Sequence, residues 1–159
     1  MYPASSLQVI LAFQPSNFQD ALSPPGSITT FIRNDAATPV TILTWNTPLD
    51  SKAGVLGVFE IRNSEDSQII PIDKVKLSRK LPATRQDLVE IEAGQTINQT
   101  VKLPVFNFEA GHEYDIQAQG VWHALWEKPL TEVTESHLLD FSEATRGEYW
   151  SNIVRVKFD

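Results

Sequence analysis

The sequence predicts an all-β protein, an antiparallel sandwich of about nine strands in a single domain spanning residues 1–159. Apolar and polar residues alternate with a period of two along most of the chain, as they do in half-buried strands. Turn residues interrupt the alternation about every 8–12 residues, which is typical of a two-sheet sandwich. Hydrophobic residues make up 42% of the 159 residues, which is enough for a core. The absence of cysteine excludes a disulfide scaffold and a cysteine nucleophile.

Nine segments support this prediction in turn. Each is rich in β-branched or aromatic residues, and Gly, Pro or polar residues separate it from the next. The predicted strands cover residues 7–13, 27–33, 40–45, 58–62, 69–77, 88–91, 95–103, 113–126 and 152–158. Gly94 lies in a tight turn that predicts a hairpin, and Gly120 predicts a bulge within the longest strand.

Tyr114 narrows the fold to an immunoglobulin-like sandwich. It follows a glycine turn at Gly111 and stands at the start of a predicted strand. Immunoglobulin-like sandwiches use a tyrosine in this position to hydrogen-bond back to the corner between two strands. We therefore expect Tyr114 to have a structural role.

The segment 129–148 departs from the strand pattern. It is longer than an ordinary hairpin loop, and Thr134 or Ser136 can cap a short helix over residues 135–142. After Gly120 the preceding strand is apolar on both faces, so both faces must be covered. We expect the segment to form a short helical or irregular appendage near the C-terminus that packs on the sandwich and covers the second face.

Four residues of the aromatic C-terminal region are candidates for binding a ligand or partner, namely Trp122, His123, Trp126 and Trp150. They either fill the core or rim an apolar pocket between the sandwich and the appendage, since binding sites are apolar and aromatic residues anchor interfaces. Trp150 shares its parity with the apolar residues of the last predicted strand, so it is expected to point inward. The pattern leaves both alternatives open.

Catalytic and metal sites are not predicted. Glu113 and Asp115 share one strand face while His112 points the other way, and metal ligands must converge. No Gly-x-Ser-x-Gly nucleophile motif is present, and no cofactor is expected. The triplet beginning at Asn98, Asn-Gln-Thr, is a possible glycosylation site.

The charge distribution favours a basic partner. The net charge is −7, so neither nucleic acid nor an anionic membrane is an expected partner. Residues 104–148 hold nine acidic and two basic side chains, whereas the rest of the chain is balanced. Acidic surface beside exposed aromatic residues suits a cationic partner.

The chain resembles the propeptide domain of fungal deuterolysin-type metalloproteases from about Ser27 to Phe158. The segments that carry the resemblance are residues 33–35, 38–40, 43–50, 92–94, 111–114 and 151–152. The resemblance implies a free-standing relative of an inhibitor or chaperone module. The zinc-protease motif His-Glu-x-x-His is absent, because Tyr114, Asp115 and Ile116 follow His112-Glu113.

Three functions are compatible with these features. The first is a non-catalytic module, related to protease propeptides, that recognises a protein partner. The second is a small cofactor-independent enzyme, an isomerase or cyclase, that shapes an apolar small molecule in a tryptophan-lined pocket. The third is a structural or oligomer-forming domain. The N-terminal residues Met1-Tyr2-Pro3 do not resemble a secretory signal, so the protein is expected to be cytoplasmic as written or secreted if its N-terminus was trimmed.

Overall fold

The computed structural model describes residues 6–16 and 24–158 and confirms the predicted fold class. The described strands are β1 (Leu7–Pro15), β2 (Gly26–Asn34), β3 (Val40–Leu43), β4 (Phe59–Asn63), β5 (Leu88–Ile91), β6 (Thr96–Lys102), β7 (Glu113–Trp126), β8 (Thr145–Trp150) and β9 (Val154–Lys157). Two short α-helices, α1 (Ala53–Leu56) and α2 (Glu135–Asp140), accompany them, together with two 3-10 helices, Arg85–Asp87 and Leu130–Glu132. Met1, Tyr2 and Pro3, on which the predicted location depends, lie outside the described residues.

Two antiparallel sheets form the sandwich. One contains three strands in the order β1-β2-β6, and the other contains six strands around the long strand β7. The N-terminal half of β7 pairs with β4 and β9, and its C-terminal half pairs with β3 and β8. The strands β8 and β9 follow one another along the same edge of β7, because their registers continue from Gln119↔Trp150 to Ile116↔Val154.

Alternating apolar side chains of the two sheets fill the space between them. In β1 the buried positions are Leu7, Val9 and Leu11, and in β2 they include Ile28 and Ile32. These side chains pack with residues of the larger sheet in one main core. Period-two burial is what the sequence pattern predicts for strands with one face on a core.

Tyr114 has the structural role expected of it. Its side chain is 2% exposed, and its hydroxyl oxygen accepts a hydrogen bond of 2.7 Å from the backbone N–H of Glu109. The ring packs edge-on against Phe106, with 5.7 Å between the ring centroids, and lies beside Phe158. The tyrosine therefore ties the segment before β7 to the start of that strand.

The predicted strand 69–77 does not form. Ile69 makes one isolated bridge to Arg62, and the following residues form no strand. Pro71 explains this difference because it lacks the N–H that a strand ladder needs. Individual bonds, such as that from the Val75 N–H to the Val55 carbonyl oxygen (2.8 Å), hold the segment against the body of the protein.

The turn at Gly94 connects the two sheets, so the predicted hairpin is wrong. It leads from β5 in the larger sheet to β6 in the smaller one. Asn34, which is fully buried, donates from its side-chain amide to the carbonyl oxygens of Thr38 and Ile91, both at 2.9 Å. Its backbone carbonyl accepts the Gly94 N–H at 2.8 Å. These hydrogen bonds fix the connection from β5 to β6, which a hairpin ladder would otherwise do.

The predicted bulge lies further along β7 than Gly120. The register with β8 shifts between Trp122 and Leu125, where β7 contains one extra residue. Gly120 instead makes room for Tyr149, since a Cβ at this position would lie 2.8 Å from the tyrosine hydroxyl oxygen. Because the bulge reverses the alternation, Trp122 and Leu125 both enter the main core although their parity differs.

A second apolar cluster lies beside the C-terminal end of β7. The helix α2 begins after Thr134, whose hydroxyl accepts the His137 N–H, so the predicted helix cap is confirmed. Val133 and Leu138 pack here with Ala124, Trp126 and seven other buried or partly buried neighbours, including Leu43, Leu88 and Phe141. The strand β8 begins at Thr145, inside the segment that the sequence assigned to the appendage.

Candidate functional site

Two of the four candidate residues are core residues. Trp122 is fully buried and stacks on Tyr149 in the main core, with 4.4 Å between the ring centroids. Trp126 is 1% exposed, lies in the second cluster, and donates from its indole N–H to the carbonyl oxygen of Ser142 at 2.9 Å. The bulge directs the two rings into different clusters. They therefore do not rim one accessible pocket together with the other candidates.

His123 is half-buried in the bulge. Its ring Nδ1 lies 3.4 Å from Nη2 of Arg146. Burial, and then the nearby Arg146 guanidinium, hold the pKa of His123 below its ordinary value. The imidazole is therefore neutral at neutral pH and adds no charge to the surface around it.

Trp150 is on the surface, so the expectation that it points inward is wrong. Its side chain is 67% exposed, while the neighbouring Tyr149 takes the inward position and is 4% exposed. The register with β7 causes this arrangement, because Tyr149 pairs with Gly120 and only a glycine leaves room for its ring. Trp150 is the member of the predicted set that is available to a partner.

Trp150 lines a groove of about 1170 Å³ between β1 and β8. Residues 7–10 form one wall, residues 146–152 form the other, and Asp35 lies at its margin. A second hollow of about 540 Å³ shares Glu148, Tyr149 and Trp150 with the groove and extends over β7 from Gln117 to Val121. The groove separates an edge of the three-stranded sheet from an edge of the six-stranded sheet.

The groove side of β1 presents backbone hydrogen-bonding groups. The even-numbered residues of β1 bond to β2, as the bonds flanking the strand from Asp35 N–H to Ser6 and from Ser16 N–H to Pro25 indicate. The odd-numbered residues Leu7 and Val9 therefore direct their N–H and C=O groups into the groove. No described residue bonds to these groups.

The groove side of β8 is similar. The N–H of Ser151 donates to Ala118 of β7 at 2.9 Å, so alternate residues of β8 bond to β7. The backbone groups of Glu148 and Trp150 consequently point away from β7 and into the groove. Gln119, which lies opposite Trp150, donates its N–H instead to Val58 on the other side of β7 at 3.2 Å. Among the described residues, Glu148 and Trp150 have no backbone partner on this edge.

Asn152 closes one end of the groove. Its side-chain Oδ1 accepts the Leu11 N–H at 2.7 Å, and its Nδ2 donates to the Leu11 carbonyl oxygen at 3.4 Å. The Asn152 amide thus forms hydrogen bonds with both the N–H and the C=O of Leu11, an odd-numbered residue of β1, as a neighbouring strand would. Residue numbers rise toward this contact along both walls, from 7 to 11 in β1 and from 146 to 152 in and after β8. The two strands therefore run in the same direction on either side of the groove.

The outer face of β8 carries two exposed charged side chains. Arg146 and Glu148 are exposed, and neither forms an ion pair with an oppositely charged side chain among the described residues. With Trp150 they form a row at alternate positions on one face of the strand. Trp150 is a candidate from its residue type, whereas Arg146 and Glu148 were not predicted, because the sequence pattern does not predict β8. The sequence signal that could have found them is the spacing of Arg146, Glu148 and Trp150 at alternate positions, which places their side chains on one face of a strand.

The described part of the chain offers few other sites. No group of three or more His, Asp or Glu side chains in residues 6–16 and 24–158 is arranged to hold a metal ion. No helix in the same ranges is long and apolar enough to cross a membrane. Asn98 is exposed on β6, and its glycosylation stays a prediction.

Comparison with known proteins agrees with this geometry at the level of fold. A protein named an uncharacterized secreted protein, from Arthroderma benhamiae, is 39% identical over 138 residues, which is 84% of this chain and 70% of that protein. The relationship to deuterolysin propeptides stays a prediction, since neither this name nor the family description mentions a propeptide. Residues 15–158 match the immunoglobulin-like domain family, and the chain therefore belongs to that family.

Proposed function

We propose that this immunoglobulin-like domain is a non-catalytic binding module that recognises a protein partner through the groove between β1 and β8. One observation carries the proposal, namely that Trp150 is 67% exposed beside a groove of about 1170 Å³. An exposed tryptophan loses apolar contact with water when a partner covers it, and such residues dominate the energetics of interfaces. The groove follows two strands, β1 and β8, which suits an extended polypeptide segment.

The setting of the module is also part of the proposal. We propose that the chain acts outside the cell, since its fungal relative is named a secreted protein. The resemblance to protease propeptides supports a protease as the partner class. Deuterolysin-type metalloproteases are therefore the first full-length proteins to test against the groove.

The groove can be tested with peptides selected from a random displayed library against the wild-type domain. We expect the Trp150→Ala variant to bind the selected peptides about 30-fold more weakly, because truncating an aromatic anchor costs about 2 kcal/mol or more. Trp150 is exposed, so the variant should remain folded. Binding can be measured by fluorescence anisotropy, with thermal unfolding as the check on folding.

Leu139→Ala is the matched control. Leu139 is 58% exposed, lies on α2 and does not line the groove, so this variant should bind like the wild type. Selected peptides that bind Trp150→Ala as tightly as the wild type would contradict the proposal. Failure of the library to yield any binder would contradict it as well.

A further inference from the structure

We infer that the groove accepts an extended segment of the partner as an additional β-strand between β1 and β8, and that this segment carries an apolar, a basic and an acidic residue at alternate positions. The inference rests on the proposed function and specifies the chemistry of the partner. It depends on the backbone groups of the two strand edges that have no partner among the described residues, and on the row of Arg146, Glu148 and Trp150.

The backbone groups argue for a strand as the occupant. Leu7 and Val9 on one wall, and Glu148 and Trp150 on the other, direct N–H and C=O groups into the groove without partners among the described residues. A strand edge of this kind is a template for pairing with another chain. Asn152 already satisfies Leu11 by imitating a strand at the closed end of the groove.

The direction of the added strand follows from the two walls. Because β1 and β8 run in the same direction, a segment that runs opposite to both makes antiparallel pairs on each side. Antiparallel pairs are slightly more stable per residue than parallel ones. The partner segment should therefore meet Trp150 first, then Glu148, and then Arg146, in its own N- to C-terminal direction.

The side chains of β8 define the pattern of the partner. Residues directly opposite one another on adjacent strands interact, and opposite charges stabilise the pair while like charges destabilise it. Trp150 favours an apolar or aromatic residue, Glu148 a basic one and Arg146 an acidic one. Both charges lack an ion-pair partner among the described residues. The contact of Arg146 with His123 is with a neutral imidazole, so it leaves the charge of Arg146 uncompensated. The intervening residues of the segment would face the core side of the groove.

Two synthetic peptides test this pattern. The first is a ten-residue strand-forming peptide with leucine, lysine and glutamate at alternate positions, and the second is the same peptide with lysine and glutamate exchanged. We expect the wild-type domain to prefer the first peptide about tenfold, because the exchange turns two attractive cross-strand pairs into two repulsive ones. Fluorescence anisotropy measures both affinities.

The double variant Arg146→Glu, Glu148→Arg reverses the charges of the groove. We expect it to prefer the second peptide by a similar factor and to unfold at the same temperature as the wild type, since both side chains are exposed. A first peptide methylated at the backbone nitrogens that face β8 should lose binding, because it cannot donate to the strand edge.

Several results would overturn the inference. They are failure of both peptides to bind the wild type, equal binding of both, and a double variant that keeps the wild-type preference. Library-selected peptides that depend on Trp150 but tolerate the charge exchange would overturn the inference and leave the proposed function standing. Light scattering that shows a dimer dissociated by the first peptide would assign the groove to a second copy of the chain and would also overturn it.

Discussion

At the scale of single residues, the tryptophans of one domain have different roles, and the bulge in β7 determines two of them. Trp122 and Trp126 are four residues apart and would share a face in a regular strand. The extra residue between Trp122 and Leu125 directs the two rings into separate clusters. Trp150, by contrast, lies on the outer face because Tyr149 occupies the inward position. The number of tryptophans alone therefore does not predict a binding site.

This difference predicts the effects of truncation. Trp122→Ala and Trp126→Ala should each lower the free energy of unfolding by about 3–5 kcal/mol, as large cavities in a core do. Trp150→Ala is the control with the same chemical change, and it should cost about 0.5 kcal/mol or less because the side chain is exposed. Urea denaturation measures all three. A loss below about 1 kcal/mol for Trp122→Ala would contradict its assignment to the core.

At the scale of elements, α2 and the cluster beneath it cover the C-terminal end of β7. Leu138 is 4% exposed and packs in that cluster, whereas Leu139 is 58% exposed on the same helix. Leu138→Ala should therefore lower the free energy of unfolding by about 2–5 kcal/mol. Leu139→Ala should change it by about 0.5 kcal/mol or less.

Chemical denaturation of the two variants tests this role of α2. The helix has six residues and gains its stability from packing rather than from its own hydrogen bonds. Equal losses in both variants would indicate that α2 does not anchor the cluster.

The sequence pattern predicts most of the strands and helices, but not all of them. Most strands were predictable because their alternation is regular, and Thr134 identified the start of α2. The strand β8 was missed because Arg146, Gly147 and Glu148 interrupt any apolar pattern. It forms because its backbone pairs with β7, which a local pattern does not show. The segment 69–77 was predicted as a strand because it is rich in apolar residues, but Pro71 prevents a continuous ladder.

At the scale of the whole molecule, the groove depends on contacts between distant parts of the chain. Leu11 and Asn152 meet across 141 residues of sequence. Local sequence patterns predict neither this contact nor the groove that ends at it, because the packing of both sheets determines strand order and register. Trp150 was identifiable as a candidate from its residue type, but its place at a strand edge was not.

The central claim is that a partner segment pairs with the backbone edges of β1 and β8. Backbone hydrogen exchange measured by NMR, with and without the lysine–glutamate peptide, tests it most directly. We expect the amides of Leu7, Val9, Glu148 and Trp150 to exchange rapidly in the free domain, since they have no partner among the described residues. Bound peptide should slow their exchange at least about tenfold, as new strand hydrogen bonds protect amides from local opening. Binding of the peptide with no protection of these four amides would contradict the claim.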